Sequence, residues 1–133
     1  MDYFKWDPAL ETGVPMIDDQ HRALFALANA PQAAIDDETG DDDAVADALY
    51  GLTDYVTEHF GDEEDLMEDL GYPILGPHRS LHEHLTGDVM RNMAAYFNGE
   101  AVAAAQVTPL VAEWLRTHIA KEDMAFVTWS KSL

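Results

Sequence analysis

Histidine and carboxylate side chains carry whatever chemistry this sequence can perform. Its 133 residues include no cysteine and six histidines: His21, His59, His78, His82, His84 and His118. Without cysteine, disulfides, zinc ribbons and haem-attachment motifs are excluded, so any metal must be held by imidazole and carboxylate. His59 and Glu63 are four residues apart, which on a helix projects both from one face, a turn apart. His78 and His82 repeat that arrangement. A chelating pair on a rigid helix loses little entropy on binding and fixes the directions of its ligands. His84, turned about 200° from His82, reads as an exposed surface imidazole. Further along, His118 has two candidate partners. Glu122 follows from i, i+4 spacing, whereas Asp123 flanks an adjoining apolar stripe and would come closer if the helix widened locally into a π turn. Spacing leaves that choice open. A lone histidine among apolar neighbours is usually a hydrogen-bonded core residue. Five of them on inward faces, beside inward carboxylates, need a compensating charge, and a metal cluster supplies one.

Four helices are required to position these groups. The first eighteen residues, with Pro8, Gly13 and Pro15, read as an extended N-terminal arm. Asp18 or Asp19 is a plausible N-cap for a first helix over about residues 19–34. Ile17, His21, Leu24, Phe25 and Ala28 give that helix a buried stripe, and Pro31 should kink or end it. The acidic run Asp36–Asp43 (DDETGDDD) reads as a solvated loop whose acids suit the start of helix two. Helix two, about 43–70, places Leu49, Leu52, Val56, His59, Glu63 and Leu66 on one face, with Met67 and Leu70 beyond. Gly71 is its expected left-handed cap. Helix three, about 74–97, turns Leu81, Leu85, Val89 and Met93 inward. After a break at Asn98-Gly99, helix four, about 108–129, turns Leu110, Val111, Trp114, Leu115, His118 and Ile119 inward. No strand alternation and no internal repeat interrupts this pattern. The expected architecture is all-α, a single domain over residues 1–133, folded as an up-down-up-down antiparallel four-helix bundle.

Composition narrows the class. Apolar residues make up 47% of the chain, normal for a globular protein, while 26 acidic against 7 basic residues leave a formal charge of −19. Such a surface repels nucleic acid and anionic lipid, so neither is an expected partner. Scarce lysine and abundant aspartate suggest a halophilic cytoplasm, where a Debye length of about 3 Å at 1 M salt screens self-repulsion. With no signal-like start and no apolar run long enough to span a bilayer, membrane insertion is not expected and a cytoplasmic location is.

Four segments then carry a resemblance. WDPALETGVPMIDDQH (Trp6–His21), HFGDEEDLM (from His59), YPILGPHRSLH (from Tyr72) and WLRTHIAKED (Trp114–Asp123) resemble, in order and spacing, the successive signatures of the hemerythrin family. The resemblance implies a ligand set of His21, His59, Glu63, His78, His82, His118 and Asp123, and so favours Asp123 over Glu122. It further implies two iron ions joined by an oxo or hydroxo bridge. His78, His82 and His118 would serve one, His21 and His59 the other, with Glu63 and Asp123 bridging. Those donors fill all but one position on two six-coordinate irons, and a single open position suits reversible binding of dioxygen. Neutral imidazole outnumbers carboxylate, unlike the Glu-x-x-His sites of oxidising di-iron bundles, which argues for a carrier and against an enzyme. Phe60, Trp114 and Ile119 occupy the positions that line the family's oxygen pocket. An oxygen- or redox-sensing module is the main alternative, and processing of peroxide or nitric oxide a further one. The protein partner is not legible.

Overall fold

Residues 4–37, 41–100 and 102–133 are described by a computed structural model. Among them every regular element is helical. A short 3-10 turn, Pro8–Leu10, precedes α1 (Pro15–Asp36), α2 (Asp42–Leu70) and α3 (Leu75–Phe97). A one-turn α4 (Val102–Ala105) leads into α5 (Val107–His118), a π-helical turn (Ile119–Asp123) and α6 (Met124–Lys131), which run on as one rod. The first rod packs against α2 and α5, and α3 closes the ring against α2 and α5. The result is the expected four-helix bundle, with neighbours joined by short connections.

The first helix starts earlier than its sequence suggests. Pro15 occupies its first turn, where a fixed φ is pre-set for helix and no amide hydrogen is needed. Asp18 is therefore not the N-cap. It sits inside the first turn, and its carboxylate accepts hydrogen bonds from the Thr12 amide (2.8 Å), the Thr12 hydroxyl (2.8 Å) and the Gly13 amide (3.0 Å). The residues ahead of the helix are held down as well. Asn29 accepts from the Phe4 amide (2.9 Å) and donates to the Phe4 carbonyl (2.7 Å). Trp6 meets Phe25 edge-on, and the Arg22 guanidinium lies over the Trp6 ring.

Pro31 does not end α1, which continues to Asp36. Its buried ring is accommodated, and the next amide, Gln32 N–H, donates to the Thr108 hydroxyl across the bundle at 3.3 Å. Asp41 caps α2 by accepting from the Ala44 amide; Glu38, Thr39 and Gly40 of the acidic loop lie outside the described residues. Gly71, at φ 74°, ends α2 as expected. Its amide bonds to the Glu68 carbonyl and that of Tyr72 to the Met67 carbonyl, the paired bonds of a Schellman cap. Two expected core residues face solvent instead: Leu81, 37% exposed, and Leu70, 40%. The α3 stripe runs His78, His82, Leu85, Val89, which leaves Leu81 a quarter-turn outside it. On α2 the stripe passes through Met67, and Leu70 falls beyond the end of the bundle contact.

Two apolar clusters result. The larger is built around Leu24, Phe25, Leu52, Leu85, Val111 and Leu115. The smaller comprises Ile17, Met67, Tyr72, Phe126 and Val127. Between them every rod places polar residues, and five of the six histidines lie in that layer.

Candidate metal centre

Each rod contributes to the layer at the point where its apolar stripe changes from one cluster to the other. On α1, His21 lies between Ile17 and Leu24. His59 and Glu63 on α2 lie between Val56 and Met67, and His78 and His82 on α3 precede Leu85. On the last rod, His118 and Asp123 lie between Leu115 and Phe126. All seven are buried, none more than 5% exposed. His84, as expected, is on the surface.

The π turn places Asp123, and not Glu122, in the buried layer. In regular α-helix a residue five positions after His118 would lie off its face. Widening over Ile119–Asp123 brings Asp123 round to the interior, 1% exposed, with Oδ1 3.0 Å from His118 Nε2. Glu122 stays near the surface, its side chain 26% exposed beside Lys121.

The donor atoms converge on two neighbouring points. At the first, Nε2 atoms of His78, His82 and His118 face one another, His118 lying 3.1 Å from His78 and 3.2 Å from His82. Glu63 Oε1 is 2.9 Å from His78 and 3.3 Å from His82, while Asp123 Oδ1 is 3.1 Å from His78. At the second point His59 Nε2 is 3.4 Å and His21 Nε2 3.7 Å from Glu63 Oε2, and His21 is 3.1 Å from Asp123 Oδ2. Each carboxylate thus turns one oxygen to the first group and the other oxygen to the second.

This donor set fits a pair of cations. A metal about 2.1 Å from each imidazole nitrogen would set adjacent octahedral donors about 3.0 Å apart, close to the spacings at the first group. Hydrogen bonding within the cluster cannot satisfy the atoms, because one Nε2–H on His118 cannot serve His78 and His82 together. His21 Nε2, Glu63 Oε2 and both Asp123 oxygens are buried with no hydrogen-bond partner. Outer contacts fix the tautomers that would leave Nε2 free as a donor atom. His59 Nδ1–H donates to Gln20 Oε1 at 2.7 Å, and His82 Nδ1–H to Glu64 Oε2 at 2.9 Å. Gln20 in turn donates to Asp62 (3.0 Å), and Glu64 accepts from Arg79 Nε (2.8 Å).

Electrostatics agree. Burial pushes the Glu63 carboxyl up, but the imidazoles of His21, His59, His78 and His82 hold it well below the usual carboxylate range. Burial and the Glu63 charge push Asp123 up, yet His118, His21 and His78 bring it down to about 2. Burial pushes His21 and His78 down, and the same two carboxylates override it, raising both to about 9. Two buried anions therefore attract positive charge, which protons supply when no cation does.

Aromatic rings clamp two of the imidazoles. Phe60 stacks on His82 with centroids 3.8 Å apart and planes within 2°, and Trp114 stacks on His118 at 4.1 Å and 15°. Ile119 is fully buried in the larger cluster. Surface hollows reach the outer edges of both clamped rings. One of about 340 Å³ is lined by Phe60, Glu64, His82 and Glu83, and another of about 160 Å³ by Leu81, Trp114 and His118. Gln20 and Glu64 were not legible as site residues from sequence. Their roles depend on contacts between helices, and the only local hint is their position beside His21 and Glu63.

A helical bundle with a buried, two-centred layer of imidazole and carboxylate has the donor set of a cation-binding protein. Residues 12–130 match the model of the hemerythrin HHE cation binding domain. Similarity extends to the bacteriohemerythrin of Pseudomonas aeruginosa, 32% identical over 96% of this chain and 81% of that protein. The bacteriohemerythrin of Methylococcus capsulatus is 32% identical over 86% of each chain. Among solved structures, a crystal structure of a hemerythrin point mutant superposes with a TM-score of 0.85 at 30% identity, covering 98% of both chains. The chain belongs to the hemerythrin family.

Proposed function

We propose that this protein binds dioxygen reversibly at a non-haem di-iron centre held by His21, His59, Glu63, His78, His82, His118 and Asp123, for oxygen storage, transport or delivery. The observation that carries the reading is the division of each carboxylate. Glu63 and Asp123 each present one oxygen to His78 and a second to His21 or its neighbour His59, which is the disposition of bridging ligands. His78, His82 and His118 would hold one iron, and His21 and His59 the other. An iron pair joined by an oxo or hydroxo bridge supplies reversible two-electron exchange with dioxygen.

The chain's own residues do the rest. Five neutral imidazoles against two carboxylates limit the negative charge given to the metals, which favours binding over oxidation of a substrate. Phe60 and Trp114 fix the planes of His82 and His118, so that the metal-facing nitrogens keep their directions. With Ile119 they also keep water from the interior, as an oxygen-lining pocket must. Among the described residues no helix is long and apolar enough to cross a membrane.

Anaerobic reduction followed by cycles of oxygen and argon, watched by visible absorption, tests the proposal. An oxygen-dependent band that disappears under argon and returns with oxygen is expected. Complete, irreversible oxidation in the first cycle would contradict carriage.

A further inference from the structure

Four of the clustered imidazoles, His21, His59, His78 and His82, fall into three groups by what holds the outer nitrogen. Nδ1 of His21 and of His78 has no partner. That of His59 donates to a neutral amide, Gln20. His82 instead donates to a full charge, Glu64, whose side chain is 18% exposed. Glu64 divides its oxygens, Oε2 to His82 on α3 and Oε1 to Arg79, three residues earlier on the same helix. Phe60 stacks flat on His82, so the ring cannot swing away from that contact.

A carboxylate bonded to Nδ1–H draws the proton outward and raises the electron density at Nε2, which faces the cluster. Arg79 acts against this by taking part of the Glu64 charge. As a simple surface ion pair the Arg79–Glu64 contact would add little to stability. Its position, one bond removed from a buried imidazole, gives it a different use.

We propose that Glu64 is a positioning residue that polarises His82, and that Arg79 attenuates it, so the pair sets the electron donation of the three-imidazole side of the centre. This rests on the metal-centre reading above. It adds to the inequality of the two metal positions, three imidazoles against two, since the His59 side has an amide in the corresponding place. The surface hollow beside Glu64 leaves this control point within reach of solvent.

Three variants test it, each measured for Co2+ affinity by anaerobic absorption titration and for the midpoint potential of the iron-loaded protein. Glu64→Gln keeps an acceptor for His82 and removes the charge. It should weaken Co2+ binding about tenfold, the lower end for loss of an outer-sphere partner, and raise the potential. Arg79→Gln should move the potential the opposite way without weakening Co2+ binding. Glu83→Gln removes an exposed charge on the rim of the same hollow and should shift the potential by much less than Glu64→Gln. Shifts of equal size in Glu64→Gln and Glu83→Gln would reduce the effect to general surface charge and overturn the proposal. So would wild-type values for Glu64→Gln, which would leave the metal centre itself standing. A wild-type chain that takes up no Co2+ and no iron would instead remove the metal-centre reading, and this proposal with it.

Discussion

Protons and cations compete for the same nitrogens in the buried layer. With His21 and His78 raised from 6.5 to about 9, both carry a proton at neutral pH when no metal is bound. Their contribution to stability is complete below pH 6.5 and is lost as the pH rises through about 9. Asp123, lowered to about 2, contributes above its ordinary 3.8 and loses that contribution as the pH falls through about 2. The metal-free protein should therefore melt highest between about pH 4 and 6.5 and progressively lower toward pH 9. Metal binding needs both imidazoles neutral, so loading at pH 7 should release about two protons per chain from them, besides any lost by a bridging water. Calorimetry in buffers of different ionisation heat measures this directly; uptake with no proton release would contradict the cluster described here. At this scale the sequence was informative. Periodicity alone placed His21, His59, Glu63, His78, His82 and His118 inward, because each lies on an apolar stripe. It could not find Gln20 or Glu64, whose partners sit on other helices.

The last rod shows why Asp123 needed more than periodicity. A π turn adds one residue to a helical turn, so His118 and Asp123, five apart, meet as residues four apart do in regular helix. Deleting exposed Ala120 should restore regular helix and leave His118 and Asp123 four apart on one face. Retained metal binding and unchanged helical circular dichroism are expected. Inserting a further alanine after Ala120 should instead abolish metal binding by turning Asp123 away. If the deletion loses metal as completely as the insertion, the π turn has a role beyond register. Element ends were less legible than element faces. Pro15 reads from sequence as part of the arm and Asp18 or Asp19 as the cap, whereas the helix already starts at Pro15 and Asp18 bonds back to Thr12 and Gly13. Pro31 reads as a breaker until Thr108, 77 residues on, accepts the next amide.

For the whole molecule, the formal charge of −19 should make stability depend on salt. The Debye length falls from about 10 Å at 0.1 M to about 3 Å at 1 M, so the melting temperature should rise over that range. The buried centre is screened far less, and its metal content should not change. A melting temperature that is flat or falls with salt would remove the halophilic reading. Bundle architecture was plain from the four apolar stripes, but the sandwiching of one polar layer between two apolar clusters emerges only when the helices are aligned. That layer is the core of the functional account, and iron content per folded chain tests it most directly. The wild-type protein should hold about two irons, Asp123→Ala should lose the pair, and Glu122→Ala should keep it. About one metal per wild-type chain, or loss of iron in Glu122→Ala with retention in Asp123→Ala, would contradict it.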